Sequence, residues 1–323
     1  MNKKYFLRII LSTSLMVLGL QPVFAQTAWP NRTVKFIIPF PPGGTLDTVG
    51  RMLAQKLSEQ TGQSFVVENK PGGNGFIGGD AVAKAPADGY TLLFNASTFT
   101  TAPMTVKTAP YDIVRDFAPV ALVAKAPLSV AVNKNLPFND IKGLVAYAKA
   151  NPGKLSFAIG STGSAGHLST ELLRRSAKLD LLIVPYKGTA PAFQDLIGGQ
   201  ISGFVDPILG SFNFYKQGML KVLAVTSATR VSTLAEVPTV AESLAGYEFY
   251  SWYGVWGPAK LPADIAQKLN VEINKALTGE MRDKLIGNGL LVGGGSIDDF
   301  AKFQKNDMAQ SQKIITEGNI RAE

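Results

Sequence analysis

The chain has 323 residues, a formal charge of +8, one histidine and no cysteine. The missing cysteine excludes disulfides, thiolate metal sites and a cysteine nucleophile, and one histidine leaves too few ligands for a zinc site. Basic residues are scattered, without runs or interleaved aromatics, which argues against a nucleic-acid partner.

Lys3, Lys4 and Arg8 form a positive start, and residues 6–20 are otherwise mostly apolar, broken further by Ser12, Thr13 and Ser14. Gln21 and Pro22 end the run, and Val23-Phe24-Ala25 offers small residues at the two positions a signal peptidase reads. The pattern predicts a secretory signal peptide over 1–25, cut after Ala25, too short in its apolar part to span a bilayer. The expected mature chain has 298 residues and a charge of +5, and its compartment is the periplasm. A mild positive field favours anionic ligands.

Residues 34–38 read as a strand, and Leu46, Val49, Leu53 and Leu57 follow helical spacing between Thr45 as N-cap and Gly62 as stop. A strand over 64–67, a helix over 76–85 and a strand over 90–94 complete a β-α-β-α-β unit. The pattern restarts with strands at 128–132, 155–159, 181–185, 201–205 and 220–226, and helices at 141–150, 168–176 and 191–197. Alternation of this kind predicts an α/β fold of mostly parallel sheets with helices on both faces. Two such units predict two lobes: 26–126 with 230–323, and 127–229. Chain crossings are expected at 124–127 and 227–238, with tail helices at 265–276 and 300–315 returning to the first lobe. Two crossings make a hinge, and the cleft would be lined by the carboxyl ends of strands.

Two loops carry the candidate chemistry. Pro39-Phe40-Pro41-Pro42-Gly43-Gly44-Thr45-Leu46-Asp47 follows the first strand and opens the first helix. Its glycines allow close backbone approach, and the free amides of a helix start favour an anion. Asp47 falls in the first helical turn, where it favours the dipole or receives a donor of the ligand. Ser161-Thr162-Gly163-Ser164-Ala165-Gly166-His167 occupies the equivalent place in the second unit, and neither loop holds a lysine or arginine. His167 beside Ser161 and Ser164 raises a hydrolase, but no Gly-x-Ser-x-Gly elbow is present. Gly73-Asn74-Gly75-Phe76-Ile77-Gly78 matches a dinucleotide fingerprint in spacing, yet it lies beyond the strand end and lacks the acidic residue downstream. Close helix packing is the better reading.

Taken together, the motifs resemble one family. They are Trp29-Pro30, the 39–47 loop, Val67-Glu68-Asn69-Lys70-Pro71-Gly72 and Asp88-Gly89-Tyr90-Thr91-Leu92-Leu93, then Tyr111-Asp112, Asp116-Phe117-Ala118-Pro119-Val120, Val184-Pro185-Tyr186-Lys187-Gly188 and Val237-Pro238-Thr239-Val240-Ala241-Glu242. The chain is similar over nearly its whole mature length to the Bug family, solute receptors of tripartite tricarboxylate transporters. The resemblance implies a two-lobed periplasmic-binding-protein (Venus-flytrap) fold, no enzymatic activity and no cofactor. It implies a monomer that holds a small carboxylate through loop amides and ordered waters and hands it to the membrane subunits of such a transporter. The implied site comprises Phe40, Gly43, Gly44, Thr45 and Asp47, then Asn95 and Ser97, then Ser161, Thr162, Gly163, Ser164, His167, Thr189 and Asp206. Aromatics at Phe94, Phe99, Phe212, Phe214, Tyr215, Trp252, Tyr253 and Trp256 depart from the family pattern and leave an aromatic acid or a dicarboxylate open as ligand. A periplasmic sensor or, more remotely, a hydrolase are the competing functions.

Overall fold

The structure, a computed structural model, describes residues 29–322. The expected signal peptide and its cleavage site lie outside the described residues. Strand β1 (Val34–Ile38) sends Phe36 and Ile38 into one core and Ile37 into another, as a strand covered on both faces must. Helix α1 (Thr45–Thr61) buries Val49, Leu53 and Leu57 and stops at Gly62, whose φ of 68° is cheap only for glycine. Then come β2 (Phe65–Asn69), α2 (Phe76–Ala83) and β3 (Thr91–Ala96), and β1 pairs in parallel with both β2 and β3. A Cβ on Gly78 would stand 2.7 Å from Pro39 Cβ, so the glycine-rich stretch before α2 serves close packing.

Two short helices, α3 (Thr98–Thr101) and α4 (Ile113–Asp116), lead into the 17-residue β4 (Phe117–Asn133). The second lobe contains α5 (Ile141–Ala150), β5 (Leu155–Ile159), α6 (Ala165–Ser176), β6 (Leu181–Pro185), α7 (Thr189–Gly198), β7 (Gly203–Pro207), α8 (Ile208–Lys216) and β8 (Leu220–Val225). The first lobe is completed by β9 (Tyr250–Pro258), α9 (Ala263–Ala276), α10 (Gly279–Gly287), β10 (Leu291–Val292) and α11 (Ile297–Glu317). β5 pairs in parallel with β6 and β7, so each lobe has three parallel strands. The lobes are joined through β4, which pairs antiparallel with β9 up to Pro127 and with β7 and β8 from Leu128 onward. The resulting strand order is β2-β1-β3-β9-β4-β7-β5-β6.

The first crossing thus falls at Pro127–Leu128, at the edge of the expected 124–127. The return differs from the sequence reading, which ends the second lobe at residue 229. Leu234, Val237, Val240 and Tyr247 are buried in the cores of the second lobe, and the Tyr247 hydroxyl lies 2.7 Å from Ser169 Oγ on α6. The spaced apolar residues of this irregular stretch cover the second lobe, although its loop composition carries no strand or helix period. The chain comes back only where Phe249 N donates to Thr226 O (2.9 Å) and β9 begins. At the far end α11 packs Phe300 against Trp252 and Trp256, while Ile315 reaches Leu168 on α6 and Glu317 pairs with Arg175 at 2.8 Å.

Candidate functional site

Four helices start at one cavity between the lobes. α1 begins beyond Gly44, α6 beyond Ser164, α7 beyond Gly188 and α8 beyond Pro207, and all four of these residues line it. The amides of a first helical turn have no carbonyl four residues back to bond, and they carry the positive end of the helix dipole. The walls between them are apolar, with Pro41, Pro42, Leu46, Ala96, Ala190 and Pro191, around a cavity of about 110 Å³. A low-dielectric space ringed by amide donors suits a small anion with an apolar body.

The approach of the lobes is tight. Gly44 has extended backbone at the end of the first loop, and a Cβ there would meet Thr189 Oγ1 of the other lobe at 3.1 Å. Gly166 lets α6 lie directly on β7, because a Cβ would be 2.2 Å from Val205 O. Across the cleft Asn74 Nδ2 donates to Thr162 O at 2.8 Å, Ser161 Oγ donates to Asn74 Oδ1, and Thr101 Oγ1 donates to Gly163 O at 2.6 Å. Asn74 holds φ 57°, a left-handed backbone that asparagine tolerates better than most residues.

Two carboxyls line the cavity and their surroundings differ. Asp47 accepts from Gly43 N (3.1 Å), Arg51 Nε (2.9 Å) and Asn69 Nδ2 (2.9 Å). Burial pushes its pKa up, but these donors outweigh burial and hold the carboxyl below its usual range. Asp206 Oδ2 is buried with no partner, and burial raises that carboxyl well above the usual range. Thr45 Oγ1 and the Tyr253 hydroxyl, also on the cavity wall, are buried and make no well-formed hydrogen bond.

The model of the tripartite tricarboxylate transporter family receptor, TctC, matches residues 49–320. The chain belongs to this family. BugT of Bordetella pertussis is 39% identical over 264 residues, 79% of each chain. Rpa4515 of R. palustris, solved with adipate, shares 36% identity at a TM-score of 0.88, covering 91% of this chain and 99% of that one. MatC of Rhodopseudomonas palustris, solved with bound malate, shares 29% identity at a TM-score of 0.83, covering 89% and 100%. The protein is a TctC-type solute-binding protein with the two-lobed α/β fold of periplasmic receptors.

In this TctC receptor the structure brings Phe40, Gly44, Thr45, Asp47, Ser161, Ser164, Thr189 and Asp206 to the cavity wall. Gly43, Asn95, Ser97, Thr162, Gly163 and His167 are not on it. Gly43 instead ties the loop to Asp47, and Asn95 Oδ1 accepts from Ala96 N at 2.8 Å. Ser97 passes its N–H to Trp252 O at 2.9 Å, and Thr98 takes the wall position beside it. Thr162 and Gly163 spend their carbonyls on the cross-lobe bonds. His167 is 7% exposed and accepts Gly163 N–H at Nδ1 (3.1 Å), while Ser164 Oγ accepts the His167 amide (3.2 Å). Burial, aided by the charge of Arg174, lowers the His167 pKa to about 4, so the ring is neutral and braces the loop from behind.

Sequence reasoning left out Ser251, and it noted Tyr253 only as a departing aromatic and Lys187 only within a family motif, without placing either in the site. Ser251 and Tyr253 sit two apart on β9 and so share a face, a period-two signal that a strand assignment for 250–258 would have exposed. Lys187 stands exposed beside the cavity, next to Gly188, and is a cation close to two loops that hold none themselves. Of the departing aromatics, only Tyr253 reaches the wall; Phe94, Phe99, Trp252 and Trp256 are core residues.

Proposed function

We propose that this receptor captures a small carboxylate in the periplasm and delivers it to the membrane subunits of a tripartite tricarboxylate transporter. The observation that carries the reading is the convergence of four helix starts on one apolar cavity between two lobes. Amide donors and hydroxyls there would take the carboxylate, and the apolar walls would take a short aliphatic or aromatic body. Adipate in Rpa4515 and malate in MatC support an acid of this size. The site offers no nucleophile activated by a base: His167 turns away from the cavity, and Ser161 and Ser164 bond to Asn74 and to a helix amide. The receptor reading therefore stands ahead of the hydrolase.

A thermal-shift screen of organic acids tests the proposal. An acid present at 100 times its dissociation constant stabilises the protein by about 2.7 kcal/mol, and it should be recovered unchanged. Conversion of the acid would point to an enzyme, and a screen without any shift would remove the carboxylate reading. Delivery is tested with the transporter subunits in vesicles, which should accumulate the acid only when the receptor is supplied.

A further inference from the structure

Asp206, Tyr253 and Thr45 form a corner of the cavity built from three different parts of the fold. Asp206 lies near the end of β7 in the second lobe, Tyr253 lies on β9 in the first lobe, and Thr45 opens α1 in the first lobe. They are 5%, 1% and 5% exposed; Asp206 Oδ2 has no hydrogen-bond partner, and the Tyr253 hydroxyl, in reach of the Thr45 and Ser251 hydroxyls, makes no well-formed bond to either. A buried carboxyl oxygen without a partner, beside two hydroxyls that satisfy one another only in part, leaves a place on the cavity wall for a polar group from outside the protein.

An ionised carboxylate requires donors, and the contrast with Asp47 shows what this protein provides when it keeps one. Asp47 has three donors; no donor reaches Asp206 Oδ2, whose neighbour on α8 is the bare Cα of Gly210, where a Cβ would come within 2.7 Å. The groups on surrounding elements do not supply a counter-charge. On α1 Asp47 is paired with Arg51, and on β9 Tyr253 is neutral, its phenol pushed up by burial and further by Asp206. On α6 His167 is neutral, α8 and β4 present the Ser211 and Ser129 hydroxyls, and Lys187 is an exposed side chain of the β6–α7 loop. Burial alone drives the carboxyl toward its protonated form. An ionised Asp206 would also repel an acid drawn in by the helix starts.

We infer that Asp206 meets the ligand as a neutral carboxylic acid, donating its O–H, together with the hydroxyls of Tyr253 and Thr45, to a ligand carboxylate. The corner then consists of three neutral O–H donors, and capture is linked to the proton on Asp206. The inference rests on the carboxylate reading of the cavity. Its pH dependence follows from linkage: a bound anion raises the Asp206 pKa further. Affinity is therefore full at low pH and falls as pH rises past the pKa of the free receptor, by up to about tenfold per pH unit.

The test compares wild type with Asp206→Asn, whose amide can still donate. In infrared difference spectra of the ligand-free pair near neutral pH, wild type should show the carbonyl band of a protonated acid; its absence overturns the inference. Calorimetry with adipate and malate between about pH 6 and 9, where both acids are ionised, should show wild-type affinity level or falling with rising pH and never rising, and no slope from this position in the variant. The Asn variant should bind within about fivefold of wild type at the low end, since one neutral donor replaces another. A loss of about a hundredfold or more, with wild-type affinity rising with pH, would mean that binding needs Asp206 ionised, and it would overturn the inference. An unchanged melting profile of the variant without ligand separates these outcomes from misfolding. If no organic acid binds wild type, the proposed function fails with this inference; if acids bind and the infrared band is missing or wild-type affinity rises with pH, this inference alone fails.

Discussion

At the scale of single residues, the site depends on side chains that are absent as much as on those present. Gly44 is the point of closest approach between the α1 loop and Thr189, and its extended backbone would accept valine. Gly44→Val should leave the ligand-free melting temperature unchanged and weaken carboxylate binding about tenfold or more, a loss of ~1.4 kcal/mol by calorimetry. Lys187→Met should cost less and act mainly on salt dependence, because an exposed cation beside the cavity is screened. His167 makes a pH prediction. Its pKa is about 4 in the folded chain against 6.5 for the free side chain, so the unfolded state binds the proton more readily. Stability is complete above pH 6.5 and is lost as pH falls toward 4, by up to about 3 kcal/mol. In His167→Gln that part of the acid limb should flatten in denaturant titrations; an unaltered limb would assign the acid sensitivity elsewhere. Glycines and hydroxyls after strands were legible as a site, but which of them face the ligand was not. Ser161 and Thr162 are neighbours with identical signals, yet one reaches the wall and the other spends its carbonyl on Asn74.

The elements show where sequence patterns suffice and where they end. β1, α5, β5 and β6 occupy the ranges that their apolar periods predict, because each is a short segment covered by its own neighbours. β4 is read only in its last part, since its stretch from Phe117 to Pro127 and the return strand β9 stabilise one another across more than 120 residues. Pairing at that distance leaves no local period to read. α6 begins at Ala165, three residues before the expected start, and Gly166 is what lets that extra turn sit on β7. Gly166→Ala should therefore destabilise the fold by about 1–3 kcal/mol through forced displacement of helix from strand, measured by urea denaturation. Asn74 links the glycine turn before α2 to the α6 loop and is the natural clasp of the closed cleft. Asn74→Gly keeps the left-handed backbone and removes both bonds. The variant should bind several-fold more weakly and give a larger radius of gyration in solution scattering; unchanged scattering would show that the clasp does not hold the lobes together.

For the whole molecule, the hinge expected from two repeated α/β units would fall where the two crossings lie side by side, at Pro127–Leu128 within β4 and at Phe249–Tyr250 ahead of β9, since Pro127 pairs with Tyr250. Saturating ligand should lower the radius of gyration of wild type, and an unchanged profile would argue for a cleft that is already closed. The second lobe is one uninterrupted stretch from Leu128 to Phe249, whereas the first is assembled from both ends of the chain. This arrangement has a kinetic consequence. Contacts inside the second lobe close short loops, while β3 can find β9 only after more than 150 residues have been gathered between them. The second lobe should therefore acquire its structure first, and it should act as the surface on which the two ends of the first lobe meet. Pulse-labelled hydrogen exchange during refolding should protect β5, β6 and β7 before β1 and β3. A separate fragment spanning 128–249 should melt cooperatively, and a fragment that stays unfolded would mean that the two lobes form together.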